Sequence, residues 1–302
     1  MIASVTLNPA VDYTVELPDA LADGAIARAD EYRYDAGGKG INVSKYLTAL
    51  GVDTVATGLA GGRLGRFLRD ELSTGGIATD FVEIEGETRL NTTVLTADGE
   101  YKINQNGPRV SGVAIETIGD RLREYDPETV VIAGSRPKGV GPDAIDRLAD
   151  AGPWETVVDV DGATLSELDG EYGLCKPNLE ELAAATGTRI DGVRDALAAA
   201  EALRADGFER VVASLGDEGA VMATPERHLH APARNVDVVD TVGAGDSLLA
   251  GVLAAYARGE SAAQALRSGV AVSSRVVSVS GTQVPSLTDV STERDAIAVS
   301  TY

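Results

Sequence analysis

The feature that most constrains the fold is the alternation of short apolar runs with helical patterns along the 302 residues. Ile2–Thr6, Thr129–Ala133 and Thr156–Val160 have the length and composition of buried strands. The segments between them repeat apolar residues three and four positions apart, which is typical of amphipathic helices. Buried strands joined by helices form parallel sheets covered on their faces. The sequence therefore predicts an α/β fold, with a last helix over about Ser261–Val277.

Two other segments have a different pattern and predict a second, smaller sheet. Asp12–Leu17 alternates with period two, as a half-exposed strand does, and belongs to a segment that runs to Tyr34. Asn91–Thr96 and Glu100–Asn104 flank the turn residues 97–99, which predicts a hairpin. Since we find no internal repeat, low-complexity tract or linker, we expect one domain over residues 1–302.

The net charge of −21 and the isoelectric point near 4.4 indicate which partners to exclude. Nucleic acid and anionic membranes would be repelled by such a surface. The single cysteine, Cys175, excludes an internal disulfide, and His228 and His230 are more typical of a solvated pair than of a metal site. No apolar run reaches the length of a membrane span, and the first residues lack the basic start of a signal peptide. We therefore expect a cytoplasmic protein.

The basic residues are 21 arginines and only five lysines. An acidic excess with so little lysine and aromatic content is typical of proteins from a salt-loaded cytoplasm, where salt screens the repulsion between carboxylates. Three of the lysines, Lys39, Lys138 and Lys176, stand next to Gly or Pro in predicted loops. This placement indicates anion binding.

A glycine-rich turn, Gly243-Ala244-Gly245-Asp246, precedes the apolar helical run Leu248–Tyr256. The N–H groups at the start of a helix bind phosphate, and a carboxylate beside them suits the base that takes a proton from an attacking hydroxyl. We expect the helix dipole to lower the pKa of Asp246, which would still leave a sufficient base for a loose transition state. The alternative is that Asp246 only caps the helix.

Other glycine-rich stretches do not fit known nucleotide motifs. Gly38-Lys39 is followed by Gly40 rather than by Ser or Thr, so it is not a P-loop. The segment Gly58–Gly65 follows a predicted strand but lacks the G-x-G-x-x-G spacing of dinucleotide-binding proteins. An oxidoreductase is therefore disfavoured.

Seven segments, spread in order over almost the whole chain, carry a specific resemblance. They are Thr6–Asp12, Ala36–Ser44, Thr88–Asn91, Ala133–Ser135, Lys176–Leu182, Ser214–Ala220 and Asp240–Asp246. In these segments the chain resembles the ribokinase-like (pfkB) family of carbohydrate kinases, and within it the branch of 1-phosphofructokinases and tagatose-6-phosphate kinases. The resemblance implies a three-layer sandwich with a mostly parallel central sheet and a small β-strand lid. The lid would be built from residues 12–34 and 88–108, and lid strands of this family often pair two subunits as a homodimer.

The activity implied is phosphorylation of a sugar phosphate hydroxymethyl group by ATP, with fructose 1-phosphate giving fructose 1,6-bisphosphate. Tagatose 6-phosphate, fructose 6-phosphate and free fructose are alternative acceptors. A non-catalytic sugar-phosphate binding module is the alternative from another class, which the turn ending at Asp246 disfavours. Asp246 would be the base, with Gly243, Ala244 and Gly245 forming the anion hole.

The resemblance also assigns binding residues. Sugar contacts would come from Asp12, Gly37, Gly38, Asn42 and Ser135. The acceptor's own phosphate would be bound by Lys39, Arg89 and Lys138. Relatives usually carry Leu where this chain has Arg136. Its guanidinium could add to the phosphate pocket or balance the negative charge of the acidic surface.

On the nucleotide side the residues implied for ATP are Lys176, Asn178, Ser214, Gly216 and Gly219. Asn178 and Glu181 would hold Mg²⁺ through water, since magnesium prefers oxygen ligands and retains water. The alternative is that the two residues only start a helix. A monovalent cation such as K⁺ is often bound beside the anion hole in this family, where Asp240 would contribute.

Overall fold

The computed structural model describes residues 1–279 and 284–302. Its strands are β1 Ile2–Thr6, β2 Ala10–Glu16, β3 Glu31–Gly37, β4 Thr54–Ala60, β5 Ala78–Glu83, β6 Arg89–Thr96, β7 Gly99–Asn104, β8 Thr129–Ala133, β9 Glu155–Asp159, β10 Tyr172–Cys175, β11 Phe208–Ser214, β12 Ala220–Ala223, β13 His228–Ala231 and β14 Ser300–Thr301. Its helices are α1 Lys39–Ala49, α2 Gly62–Thr74, α3 Gly112–Tyr125, α4 Asp143–Ala149, α5 Gly162–Leu165, α6 Leu179–Thr186, α7 Val193–Ala205, α8 Ala244–Ala257, α9 Ala262–Val276 and α10 Val290–Asp295.

The central sheet contains ten strands in the order β14-β13-β12-β11-β10-β9-β8-β1-β4-β5. All pairs from β11 to β5 are parallel, and β12, β13 and β14 add antiparallel strands at one edge. Every residue of β1 and β4 is buried, as expected for central strands covered on both faces. The predicted α/β fold with a mostly parallel sheet is confirmed.

Helices cover both faces of this sheet, and the described residues form three hydrophobic cores. One core contains buried side chains of α3, α4, α6 and α7, and a second contains those of α1, α8 and α9. A third, smaller core contains Leu68 and Leu72 of α2 with Phe81 of β5. Helix α8 is buried over most of its length and packs against α9, where a Cβ on Gly251 would lie 2.8 Å from the Cα of Gly269. This close approach of α8 to α9 requires glycine at position 251.

The second sheet has four strands in the order β3-β2-β6-β7. Its predicted strands are present, although β2 begins at Ala10 and β3 continues to Gly37. One face carries Asp12 paired with Asn91. The opposite face carries aromatic residues, among them Tyr13 stacked on Tyr34 with ring centroids 4.5 Å apart. Strand β7 is exposed along its whole length, so this sheet, here called the lid sheet, is covered far less than the central one.

The helix predicted over about Ser261–Val277 is present as α9, but it is not the last one, because α10 follows it at residues 290–295. Its six residues carry too little periodicity to be predicted from the sequence. The four-residue strand β10 was missed for the same reason. Within the described residues, we find no helix with the length and apolarity needed to cross a membrane.

Candidate active site

The carboxyl ends of the parallel strands meet at one edge of the central sheet, which is where α/β proteins bind ligands. Asn8 follows β1, Ser135 follows β8, Asp159 ends β9, Lys176 follows β10 and Ser214 ends β11. The lid sheet and the first turn of α8 adjoin this edge through side-chain contacts described below. We call the space between them the cleft.

Asp246 lies in the first turn of α8 and is buried. Its Oδ2 accepts a hydrogen bond from Asn42 Nδ2 at 2.8 Å. Burial and the nearby Asp159 carboxylate raise the pKa of Asp246 to about 6, although Asn42, Lys39 and Lys176 act in the opposite direction. The expected lowering of this pKa was wrong, because removing the carboxylate from water outweighs the helix start. A base with this pKa is well matched to neutral pH.

The turn before α8 has the geometry of an anion-binding helix start. Gly243 has a φ of +75°, and a Cβ there would lie 2.5 Å from the hydroxyl oxygen of buried Tyr46. A Cβ on Gly245 would lie 3.1 Å from Lys176 Nζ, so an ammonium group sits directly against the first turn. The N–H of Ala244 donates to Thr241 at 3.2 Å within the turn. The helix start and Lys176 together favour a negatively charged group at this point.

Asp159 is the most important residue that sequence reasoning missed. Its side chain is fully buried, with Oδ1 2.8 Å from Lys39 Nζ and Oδ2 3.4 Å from Lys176 Nζ. Lys39 Nζ also lies 3.3 Å from Glu181 Oε1. Burial lowers the pKa of Lys39, but Asp159 and Glu181 raise it by more, so the ammonium stays charged. A signal was available, because Asp159 interrupts the apolar run 156–160 at the end of a strand.

This arrangement differs from the expectation for Lys39. The sequence grouped it with Arg89 and Lys138 around the acceptor's phosphate, whereas the structure places its ammonium on Asp159 and Glu181. The reason is the direction of the side chain. Lys39 is the first residue of α1, and its chain passes close to Gly134 toward the ends of β9 and α6.

Asn178 and Glu181 start α6 with reciprocal hydrogen bonds. Asn178 Oδ1 accepts from the Glu181 N–H at 2.8 Å, and Glu181 Oε2 accepts from the Asn178 N–H at 2.9 Å. The helix-start alternative is therefore realised, yet Glu181 Oε1 and Asp159 Oδ1 both contact the Lys39 ammonium. The buried Oδ2 of Asp159 accepts no hydrogen bond, although it forms an ion pair with Lys176. This donor set fits Mg²⁺. No group of three or more Asp, Glu, His or Cys among the described residues could hold a metal, so a magnesium ion there would retain water ligands.

A cavity of about 660 Å³ opens beside the turn before α8. Its lining combines apolar side chains with three of the predicted ATP residues: Val236, Val238, Leu248, Val270, Val277, Ser214, Gly216 and Gly219. Gly219 has a φ of +88°, and a Cβ there would lie 2.2 Å from the Ala231 carbonyl oxygen. Since Ala244 and Gly245 also line this cavity, it is continuous with the anion-binding turn. Its size and apolar walls suit an aromatic base.

The side of the cleft where the sequence predicts sugar binding is built around Asp12, and we call it the sugar side. Asn91 Nδ2 donates to Asp12 Oδ1 at 2.8 Å, and burial raises the pKa of Asp12. A Cβ on Gly37 would lie only 2.0 Å from Asp12 Oδ2, so glycine is required for this contact. Gly38 has a φ of +129° and would place a Cβ 2.8 Å from Thr6 Cγ2. The close contacts with Asp12 and Thr6 explain why positions 37 and 38 are both glycine.

Arg89 is held beside Asn91 on the lid sheet. It donates from Nε to the Asn8 carbonyl at 3.1 Å and from Nη1 to Asn91 Oδ1 at 3.2 Å. Asn8 in turn donates from Nδ2 to Ser135 Oγ at 3.0 Å. One chain of hydrogen bonds therefore joins Arg89 on the lid sheet to Ser135 on the central body.

Two further basic residues follow Ser135. Lys138 is exposed, and its carbonyl accepts from the Val110 N–H at 2.8 Å. Arg136 donates to the Val140 carbonyl at 3.0 Å and to Thr164 Oγ1 at 3.2 Å. Arg136 thus ties its own loop to α5 and is not available as a free surface charge.

Comparison with known proteins gives a consistent result. The family model of "pfkB family carbohydrate kinase" matches residues 5–289. A 1-phosphofructokinase of Haloferax volcanii is 50% identical over 301 residues, covering 100% of this chain and 99% of that protein. A tagatose-6-phosphate kinase of Staphylococcus epidermidis is 32% identical over 261 residues, covering 83% and 84%. The crystal structure of Escherichia coli phosphofructokinase-2 in complex with potassium has a TM-score of 0.89 and 28% identity, covering 97% and 98% of the two chains.

Proposed function

Because the chain belongs to the pfkB family of carbohydrate kinases, we propose that it transfers the γ-phosphoryl group of ATP to fructose 1-phosphate, giving fructose 1,6-bisphosphate. The observation that carries this proposal is Asp246, a buried carboxylate with a raised pKa at the start of α8. Lys176 lies against the same turn. A base and an anion site side by side are what phosphoryl transfer to a hydroxyl requires.

In the reaction, Asp246 takes the proton of the acceptor's hydroxymethyl group as its oxygen attacks the γ-phosphorus. Asn42 orients the Asp246 carboxylate through the bond to Oδ2. The N–H groups of residues 243–246 stabilise the negative charge on the transferring group, and Lys176 adds a positive charge beside Gly245. As the bond to the γ-phosphorus forms, the bridging bond to the β-phosphate breaks with its electron pair going to the leaving oxygen, and ADP leaves.

The nucleotide would occupy the cavity beside this turn. Its base lies among the apolar side chains, while Ser214, Gly216 and Gly219 approach it with their backbone. Lys176 and Asn178 face the phosphates. Asn178 and Glu181 would hold Mg²⁺ through water, which supplies charge neutralisation for the ATP phosphates. The ion pair of Lys39 with Asp159 lies on the same side of the cleft as these nucleotide-binding residues.

The acceptor would lie across Asp12, Gly37 and Ser135, with its hydroxyls on the carboxylate and the adjacent amide of Asn91. Its phosphate would be bound by Arg89, whose planar fork suits phosphate oxygens, and by the exposed Lys138. Because Lys39 is engaged by Asp159 and Glu181, we no longer assign it to this phosphate.

A monovalent cation and a second subunit are finer parts of the proposal. Asp240 Oδ1 accepts from the Val242 N–H at 2.9 Å in the turn before the anion site, and we propose that its carboxylate contributes to binding K⁺ there. On the lid sheet, Tyr32, Tyr101 and Ile103 share the face opposite Asp12 and are 45–68% exposed. Pairing of two such faces would bury them in a homodimer.

The test is kcat/KM for fructose 1-phosphate, tagatose 6-phosphate, fructose 6-phosphate and free fructose, measured in molar KCl. Two charge-assisted contacts of about 1.5–3 kcal/mol each favour a phosphorylated acceptor by about two to four powers of ten. We expect fructose 1-phosphate to be preferred. Free fructose used as well as the best sugar phosphate would refute the assignment, and a preference for tagatose 6-phosphate would move it to the neighbouring branch.

A further inference from the structure

Lys45 and Glu71 are two charged side chains behind the sugar side of the cleft that the proposed mechanism does not use. Lys45 lies on α1 and Glu71 on α2, and together with Asp35 they line a cavity of about 540 Å³. Burial lowers the pKa of Lys45 and raises that of Glu71, while each group counteracts the shift of the other. Desolvating two ionisable groups is unfavourable, so their position indicates a role.

Lys45 contacts the carbonyl group of Ala36 near the end of β3, and Glu71 lines the same cavity as Lys45. Lys45 Nζ donates to the Ala36 carbonyl at 2.6 Å, and the Ala36 N–H helps to lower the pKa of Glu71. Strand β3 is an edge strand of the lid sheet, so the peptide groups on its open side have no partner strand. Because Ala36 is fully buried, water does not satisfy its carbonyl oxygen, and the Lys45 ammonium takes that place.

The location of this peptide matters because Gly37 follows it directly. Gly37 packs so closely on Asp12 that even a Cβ would lie 2.0 Å from Oδ2. Gly38 then caps the start of α1. A displacement of the Ala36 carbonyl would therefore be transmitted through Gly37 to Asp12.

We propose that Lys45 and Glu71 are positioning residues, which clamp the end of β3 to the central body and thereby set the geometry of the acceptor site. This inference rests on the proposed function, since it concerns the same sugar phosphate. The clamp should affect binding of the acceptor and not of ATP, because neither side chain is among those that line the nucleotide cavity.

The test uses Lys45→Met and Glu71→Gln in the full-length enzyme. For Lys45→Met we expect KM for fructose 1-phosphate to rise at least about 10-fold, with KM for ATP and the kcat at saturation within about twofold. Glu71→Gln should act in the same direction and more weakly, because the amide retains a hydrogen-bonding oxygen. Lys45→Arg, which keeps a charged donor, should recover most of the acceptor affinity.

Lys102→Met is the matched control, since it removes an exposed ammonium from β7 at the other edge of the lid sheet. It should leave both KM values unchanged. If Lys45→Met does not fold, Glu71→Gln alone decides, together with calorimetric binding of fructose 1-phosphate to each variant.

Equal losses in both KM values, or an unchanged KM for the acceptor in both variants, would refute the clamp. A wild-type enzyme inactive on every sugar phosphate would instead refute the proposed function. The two failures are therefore distinguishable.

Discussion

The nucleotide side and the sugar side of the cleft are built in different ways. On the nucleotide side, Asp159, Lys176 and Asp246 are 0%, 3% and 7% exposed, and all three are anchored on the central sheet or on α8. On the sugar side, Asp12, Arg89 and Asn91 are only half-buried and stand on strands of the lid sheet. The first set is fixed by the core of the body, whereas the second depends on how the lid sheet is held.

The consequence of this difference is chemical. Burial and the Asp159 carboxylate shift the pKa of Asp246 toward neutrality, and the Asp159 and Glu181 carboxylates keep Lys39 charged although burial acts against its charge. The lid sheet instead contributes hydrogen bonds that are assembled when its strands meet the body, through Arg89, Asn8 and Ser135. Catalytic power should therefore reside in the body and acceptor selectivity in the lid sheet. Four predictions test this division.

The largest effect is expected for Asp246→Asn. We expect kcat to fall at least about 10²-fold, as for a lost general base, with both KM values roughly unchanged. The melting temperature should not fall, because the substitution removes a buried carboxylate that Asp159 repels. Steady-state kinetics and thermal melting measure both. Turnover near the wild-type value would remove Asp246 from the mechanism.

On the lid side, Arg89→Ala should lower kcat/KM for fructose 1-phosphate by about 10- to 100-fold, the equivalent of one charge-assisted contact. KM for ATP should stay within about twofold, since the Arg89 side chain donates its hydrogen bonds to Asn8, Asn91 and Gln105, none of which lines the nucleotide cavity. Arg63→Ala, on the exposed surface of α2, is the control. An unchanged preference for phosphorylated over free fructose would exclude Arg89 from the phosphate site.

The pH dependence of kcat should report the protonation of Asp246, which belongs to the central body. Since the base must be deprotonated and its pKa is raised to about 6, kcat should fall about tenfold per pH unit below that value. For stability the sign is opposite. The folded state binds a proton that the unfolded state has already lost between pH 3.8 and about 6, so this group's contribution to stability decreases as pH rises through that window. A kcat that is flat down to pH 5 would contradict the raised pKa.

The smallest effect is expected for salt, which should change the stability of the lid sheet more than that of the central body. With a net charge of −21, raising KCl from 50 mM to 2 M screens carboxylate repulsion, because the Debye length falls below about 3 Å above 1 M. We expect the melting temperature to rise by about 2–4 °C for each kcal/mol gained. Hydrogen exchange should show β6 and β7 losing protection before β1 and β4, since the former are half-buried or exposed. Equal stability and activity at both salt concentrations would refute the halophilic interpretation.

Much of the candidate site was accessible from the sequence because its chemistry is local. The turn at Gly243–Asp246 combines the glycine that a φ of +75° requires with a carboxylate in the first helical turn. The halophilic composition is likewise a property of residue counts, and the Haloferax relative supports it. The same holds for the hairpin of β6 and β7, whose strands alternate around a short turn.

Other parts were not accessible because they depend on contacts between distant residues. Asp159 is separated from Lys39 by 120 positions. Their ion pair exists because β9 ends, and α1 begins, at the same edge of the sheet. The direction of the Asp246 pKa shift was missed for the same reason, since the burial that raises it comes from neighbouring elements and not from its own helix.

The sequence by itself determined the α/β fold, the order of its main strands and helices, and the glycine-rich turn with its base. Those features follow from periodicity and from backbone conformations that only certain residues adopt. Tertiary structure decided which charges face one another. It paired Lys39 with Asp159, linked Asn42 to Asp246, and brought Lys45 to the Ala36 carbonyl beside Glu71. The reason is that electrostatic energy depends on distance and burial, which are set only when the strands are brought together.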